Sequence, residues 1–150
     1  MGDTHEGGCA CGQVRYATTG PPARTGVCHC RYCQLRTGSA FGVSVYFASP
    51  HVTVTGETRP YAFTTESGRA FTTHFCPTCG TSVFWRVAVF PDLIGVAGGT
   101  FDPPTFWFEP ATEVFTRSRA PFVQLDVPQS HWTSPAHAPV CDDPVARRGG

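Results

Sequence analysis

The sequence predicts a mostly β protein built from short antiparallel sheets with little helix. Three observations support this fold class. The chain contains 16 Gly and 14 Pro, which interrupt long helices. It also contains 12 Phe, together with many Val and Thr, and these residues favour strands. Its 150 residues suit a single domain, which we place at residues 1–133, followed by a flexible tail at 134–150 where Pro is frequent and large apolar residues are scarce.

The expected elements follow from apolar runs and the turn residues between them. The opening stretch Gly7–Gly12 is typical of a metal knuckle, because glycine tolerates the positive φ that turns amides toward sulfur. One short helix is expected from Arg31 to Gly38, where the glycine ends it. The expected strands are Gln13 to Thr18, Phe41 to Phe47, Val52 to Val54, Tyr61 to Thr65, Arg69 to Phe75, Thr81 to Val89, Leu93 to Ala97, Val114 to Arg117 and Phe122 to Val127.

Composition disfavours two classes of partner. The net charge is +0 and all 11 basic residues are Arg, so the chain lacks the basic footprint of a nucleic-acid-binding zinc ribbon. No window approaches the roughly 18 consecutive apolar residues of a membrane span. The N-terminal residues do not have the basic-then-apolar order of a signal peptide. We therefore expect a cytoplasmic protein in a reducing environment, with neither nucleic acid nor membrane as partner.

Seven of the eight cysteines lie in three tight clusters, and Cys141 stands alone in the tail, where we expect an exposed free thiol. Disulfides would need an oxidising compartment and a partner in another cluster for each cysteine. Metal binding explains the spacing directly, because thiolates one or two residues apart can bind the same ion. Sulfur ligands select zinc or an iron–sulfur cluster. The clusters are Cys9 with Cys11, Cys28 with Cys30 and Cys33, and Cys76 with Cys79.

The number of sulfurs in each cluster divides them into two zinc sites. Two pairs close one tetrahedron, so Cys9, Cys11, Cys76 and Cys79 predict a structural zinc site. The remaining three cysteines leave one coordination position open, which is typical of catalytic zinc. An alternative is a second structural ion whose fourth ligand is a histidine. The candidate histidines are His5, His29, His51, His74, His131 and His137.

Charge indicates which chemistry the open site favours. Four thiolates and Zn²⁺ sum to about −2, and three thiolates sum to about −1. Zinc with three thiolate ligands activates water less than zinc with three neutral histidines, whereas an incoming thiol is a matched soft ligand. The open position therefore favours sulfur chemistry over hydrolysis.

Four motifs carry a family likeness: Gly8 to Tyr16, Cys28 to Gln34 with Gly38, Phe75 to Thr81, and Ala97 to Asp102. Together, over roughly Gly7 to Arg119, they resemble the glutathione-dependent formaldehyde-activating enzyme family, which includes the centromere protein V group. The resemblance implies a β-tent fold, a structural zinc and a second zinc on the cysteine sets given above. It also implies condensation of glutathione with formaldehyde to S-(hydroxymethyl)glutathione.

Two functional hypotheses follow. The first is a zinc-dependent carbon–sulfur lyase, similar to S-(hydroxymethyl)glutathione synthase, in which Cys28, Cys30 and Cys33 form the catalytic zinc site for glutathione or a related thiol and a small aldehyde. Arg31, Arg69 and His74 are candidates for binding a substrate carboxylate or moving a proton. The alternative is a non-catalytic, zinc-stapled module that binds a thiol conjugate or a protein partner, because no Asp or Glu stands out as a general base.

Serine substitutions distinguish the two predicted sites. Cys76→Ser should lower expression or abolish folding, because a structural zinc contributes folding free energy directly. Cys30→Ser should leave a folded protein with roughly one metal ion fewer. Native mass spectrometry measures the metal content of each variant. Equal metal content and equal stability in the two variants would contradict the division into two sites.

Overall fold

The computed structural model describes residues 3–140 and Gly149. It contains eleven strands and one short α-helix, α1, at Arg31–Thr37, together with three single-turn 3₁₀ helices at Ser49–His51, Gly98–Thr100 and Thr116–Ser118. In chain order the strands are β1 Thr4–Gly8, β2 Arg15–Thr19, β3 Arg24–Cys28, β4 Gly42–Ala48, β5 Val52–Thr55, β6 Arg59–Thr64, β7 Ala70–Phe75, β8 Ser82–Val87, β9 Leu93–Ala97, β10 Thr112–Val114 and β11 Gln129–Ser130.

The strands form two sheets. The small sheet has the order β1-β2-β5 and is antiparallel throughout. The large sheet has the order β11-β10-β3-β4-β9-β8-β7-β6. Strands β6 to β9 form a meander, since each lies beside the next in sequence. Strand β10 pairs in parallel with both β3 and β11, whereas the other pairs of the large sheet are antiparallel.

The main core lies between the two sheets. Tyr16 and Val54 from the small sheet pack in one cluster with Val45, Phe47 and Val96 from the large sheet. Side chains alternate between the two faces of a strand, so Val45 and Phe47 face this core while the intervening Tyr46 points to the opposite face. That opposite face of the large sheet lines a cavity.

The predicted mostly β class with little helix is confirmed, and so are most of the predicted elements. Strand β9 has the predicted bounds, and α1 begins at the predicted residue. The helix ends because Gly38 adopts a left-handed conformation at φ 66° and its N–H donates to the carbonyl of Gln34. The all-antiparallel pairing is a correction, because β10 is parallel to both of its neighbours.

Two predicted C-terminal strands are wrong. Strand β10 ends at Val114 because Phe115 adopts a positive φ of 59°, and a 3₁₀ turn follows where the strand Val114 to Arg117 was expected. No strand forms over the apolar run from Phe122 to Val127, and Phe122 is 84% exposed. The run pairs with no strand of either sheet and so gains no ladder hydrogen bonds.

Two strands near the N-terminus lie in segments where no strand was expected. Strand β1 overlaps the glycine-rich stretch that was interpreted only as a metal knuckle. Strand β3 has the sequence Arg-Thr-Gly-Val-Cys, with little apolar alternation. It is nevertheless paired on both sides, with β4 and β10, so tertiary pairing decides its conformation.

The flexible tail from residue 134 stays a prediction, and most of it lies outside the described residues. Within the described part, Arg69 donates to the carbonyl of Ala136 at 2.7 Å, and the Val140 N–H donates to the carbonyl of Glu66 at 2.8 Å. These contacts place residues 134–140 against the turn between β6 and β7. No helix in the described chain combines the length and apolarity that a membrane crossing requires.

Glu113 in β10 is a fully buried carboxylate that joins three segments. His29 Nε2 donates to one carboxylate oxygen at 2.9 Å, while Ser130 and Arg119 donate to the other at 2.7 and 3.0 Å. Burial acts to raise the pKa of Glu113, but the hydrogen bonds from Ser130 and His29 and the nearby Arg119 outweigh it and lower the pKa. Folding is therefore linked to ionisation of this carboxylate.

We predict that Glu113→Gln lowers stability by about 1–3 kcal/mol near neutral pH, because buried donors lose a charged acceptor. A lowered pKa stabilises the fold above the ordinary glutamate pKa, and this contribution is lost as pH falls through the lowered value. Denaturant unfolding between neutral and acidic pH should therefore show a flatter pH dependence for the variant. The exposed Glu57→Gln serves as the control. Parallel pH curves for Glu113→Gln and the native chain would contradict the linkage.

Candidate functional site

Four cysteines that are distant in sequence meet at one end of the molecule. The sulfurs of Cys9, Cys11, Cys76 and Cys79 all lie within 4.8 Å of one another. Cys11 Sγ lies 3.6 Å from Cys9 Sγ and 3.7 Å from Cys76 Sγ. Sulfurs about 2.3 Å from a tetrahedral zinc are separated by roughly 3.8 Å, so this spacing fits a four-sulfur metal site.

Nearby donors favour the thiolate at three of these sulfurs, whereas hydrogen bonds within the cluster and burial raise the pKa of Cys11 to about 11. The Val14 N–H donates to Cys9 Sγ at 3.2 Å, and the Thr78 N–H donates to Cys76 Sγ at 3.4 Å. Hydrogen bonds from the side chain and backbone of Thr81 lower the pKa of Cys79 to about 5. Because metal ligation requires the thiolate, these donors favour ligation.

The second cluster forms where β3 runs into α1. Cys28 ends β3, Cys30 caps the helix N-terminus and Cys33 lies in the first helical turn. Their sulfurs also lie within 4.8 Å of one another. Hydrogen bonds from Cys28 and Cys30, together with the nearby Arg36 guanidinium, lower the pKa of Cys33. The pKa of Cys28 is raised, mainly because it donates within the cluster.

The described residues show no fourth protein ligand beside this trio. Over residues 3–140 and Gly149, no histidine joins either sulfur cluster. His29 lies between two of the cysteines in sequence, but its Nε2 donates to Glu113 instead. The seven described cysteines are free thiols, and Cys141 lies outside the described residues.

A cavity of about 360 Å³ opens beside the three-sulfur cluster, on the face of the large sheet opposite the main core. All three sulfur-bearing residues line it, whereas none of the four-sulfur set does. Cys28 is half-buried and borders the cavity. The aromatic lining residues are Tyr32, Tyr46, Phe63, Phe71, Trp85, Phe90 and Phe115.

Half-buried Arg36 places a positive charge at the cavity wall beside Cys33. Its guanidinium carbon lies 4.4 Å from the centre of the Trp85 ring, and NH2 packs against the backbone at Gly42. Within the described chain, its Nε and NH2 are shielded from water and have no hydrogen-bond partner. Sequence reasoning missed Arg36, although its position three residues after Cys33 on a helix places both side chains on one face.

The three substrate candidates from the sequence lie in different places. Arg69 lines the cavity and donates to the Ala136 carbonyl. Arg31 is exposed and does not line the cavity. His74 also lies away from the cavity, stacked on Phe84 with ring centres 4.6 Å apart, and burial together with the charge of Arg86 lowers its pKa.

The C-terminal part of the chain completes the cavity. His131 lines it just after β11, with its backbone N–H donating to the carbonyl of Glu113 at 2.9 Å. Gly149 also lines it, with a positive φ of 67°, and a Cβ there would approach Cys30 Sγ to 3.0 Å. The sequence indicated His131 only as a possible fourth ligand, and it gave no reason to place Gly149 at the site.

With this geometry established, the family model for glutathione-dependent formaldehyde-activating enzymes matches residues 4–118, well over half of the chain. The chain belongs to this family. A crystal structure of a Rhodobacter sphaeroides protein is 22% identical, covers 70% of this chain and 97% of that chain, and superposes with a TM-score of 0.53, which supports the fold. No curated protein sequence matches the chain significantly.

The family match includes some of the residues at the candidate site and leaves others outside. The matched residues, 4–118, include all seven clustered cysteines and Arg36. The cavity wall formed by His131, Ser134 to Ala136 and Gly149 lies beyond the match. Residues beyond the family match therefore contribute to the wall of the cavity beside the three-sulfur cluster.

We predict that Arg36→Gln lowers the metal affinity of the three-sulfur cluster about tenfold, because it removes the positive charge that favours the Cys33 thiolate. Cobalt(II) titration with a competing chelator measures the affinity. The matched control is Arg31→Gln on the same helix, whose guanidinium contacts Gln34 at 3.5 Å. Equal affinities for the two variants would show that Arg36 does not support the cluster.

Proposed function

We propose that this protein catalyses the reversible addition of a thiol, glutathione or a related compound, to a small aldehyde. In the reverse direction the activity is that of a carbon–sulfur lyase. One observation carries the proposal: a trio of cysteines without a fourth described ligand borders a cavity of substrate size. Family membership supports glutathione and formaldehyde as the reactants.

Zinc is the metal that the donor sets fit best. Cysteine thiolates and the tetrahedral sulfur spacing suit zinc, with Cys9, Cys11, Cys76 and Cys79 holding a structural ion and Cys28, Cys30 and Cys33 a second one. Zinc at the second site would supply a soft Lewis acid that lowers the pKa of an incoming thiol. Thiolate ligands also require a reducing compartment, so we place the protein in the cytoplasm.

The reaction needs few functional groups from the chain. The thiol sulfur bonds to the aldehyde carbon, the π pair of the carbonyl moves to oxygen, and the thiol proton ends on that oxygen. His131 is the histidine that lines the cavity among the described residues, so we assign it the transfer of this proton. Arg36 holds the negative charge of the Cys33 thiolate beside the reacting centre.

A non-catalytic binding module is the second candidate. It is favoured by one observation, which is that no described Asp or Glu lines the cavity. A protein of this kind would bind a thiol conjugate or a partner at the same cysteines without turnover. The two candidates differ in whether glutathione binding is followed by exchange with an aldehyde.

We predict that the protein with bound metal accelerates exchange between free formaldehyde and its glutathione adduct, as measured by NMR exchange spectroscopy. Removing the metal with a chelator, or introducing Cys30→Ser, should return the rate to the uncatalysed value, and adding zinc should restore the chelated protein. Cys141→Ser, which leaves the three clusters intact, is the control.

The same samples distinguish the alternative function. Exchange at the uncatalysed rate with every aldehyde tested would contradict the enzyme proposal. If glutathione then still shifts the absorption spectrum of the cobalt-substituted protein, the binding module is the correct function.

A further inference from the structure

The cavity is much larger than formaldehyde requires. Its volume of about 360 Å³ is roughly twelve times the ≈ 30 Å³ that one water molecule occupies in the liquid. Volumes in this range hold molecules with many non-hydrogen atoms. The thiol shares this space with the aldehyde, so the volume admits an aldehyde larger than formaldehyde and the character of the walls indicates its class.

The walls of the cavity are apolar and aromatic. Phe63 and Phe71 stack with ring centres 5.0 Å apart, and Phe71 stacks on Trp85 at 6.3 Å. Trp85 Nε1 donates to the Tyr46 hydroxyl at 3.1 Å, so the polar atom of the indole is already satisfied. Val87 and Val89 extend the same surface. Binding an apolar ring against such a wall is favourable because it removes apolar surface from water, whereas a small polar molecule gains little from this contact.

Apart from the three cysteines, the charged residues that line the cavity are all arginines. Arg24, Arg36 and Arg69 line the cavity, and no described carboxylate does. Arg24 lies over the Phe90 ring at 4.4 Å, which extends the aromatic wall to the rim. This lining accommodates a neutral or anionic substituent and disfavours a cationic one.

Residues beyond the family match cover one side of the cavity. His131, Pro135 and Ala136 border the cavity, and all three lie beyond residues 4–118, which carry the family match. Arg69 fixes this cover by donating to the Ala136 carbonyl at 2.7 Å. The aromatic wall at Phe63, Phe71 and Trp85 lies within the family match, and the cover comes from the residues after it.

We propose that the carbonyl substrate of this protein is an aldehyde with an aryl-sized apolar body, which lies against Phe63, Phe71 and Trp85 while its carbonyl carbon meets the thiol at the three-sulfur cluster. The proposal rests on the proposed thiol addition and names its substrate class. As above, the carbon–sulfur bond forms, the carbonyl π bond breaks, and the proton of the thiol is transferred to oxygen.

Stable thioethers test the proposal without turnover. S-benzylglutathione differs from the benzaldehyde adduct only in lacking the hydroxyl group, and S-methylglutathione corresponds in the same way to the formaldehyde adduct. Isothermal titration calorimetry of the metal-bound protein should give at least about tenfold tighter binding of the benzyl compound. A para-trimethylammonium group on the ring should weaken binding relative to a para-carboxylate.

A substitution in the cavity wall tests whether a preference for the benzyl compound arises at this site. Phe63→Ala should lower the ratio of benzyl to methyl affinity about fivefold, because Phe63 packs on both Phe71 and Tyr32 at the cavity wall. Phe122→Ala is the control, because Phe122 is 84% exposed and does not line the cavity. Circular dichroism verifies that both variants are folded, and the unmodified chain tests the preference independently of either variant.

The outcomes are distinct from those of the exchange assay. Benzyl binding no tighter than methyl binding, or a benzyl preference that Phe63→Ala leaves unchanged in a folded protein, would overturn the substrate class. The proposed thiol addition would still hold if glutathione and formaldehyde exchange is accelerated. Acceleration of no aldehyde would instead overturn the proposed function, whatever the thioethers do.

Discussion

The rest of the structure depends on one constraint, the convergence of four cysteine sulfurs from opposite parts of the fold. Cys9 and Cys11 follow β1 of the small sheet, while Cys76 and Cys79 lie between β7 and β8 of the large sheet. Their convergence joins the two sheets at one end, and the core around Tyr16 and Phe47 fills the space between them. The opposite face of the large sheet remains available for a cavity.

Charge balance organises the second cluster. A sulfur trio concentrates negative charge when its thiols ionise, and the structure places the Arg36 guanidinium beside Cys33. His29, which lies between Cys28 and Cys30 in sequence, is held by Glu113. Glu113 in turn accepts hydrogen bonds from Arg119 and Ser130. The segment from Cys28 to Cys30 is therefore coupled to the C-terminal part of the chain.

The cavity is lined by residues of the family region and by residues that follow it. The family region supplies the cysteines, and residues after it supply His131 and the cover near Ala136. A protein arranged in this way can keep one reacting centre while its substrate changes, because the cover and the aromatic wall, rather than the sulfurs, contact the body of the substrate. The fold alone does not specify that substrate.

The sequence by itself determined what depends on short spacing: the mostly β class, helix α1, strand β9 and the membership of each cysteine cluster. Only the tertiary structure decided what depends on distant contacts. Strand β3 exists because β4 and β10 pair with it, whereas the run from Phe122 to Val127 finds no strand partner in either sheet. Likewise, no local sequence pattern predicts the cavity, because its walls come from strands that are far apart in the chain. Its chemistry depends on which side chains these strands bring together.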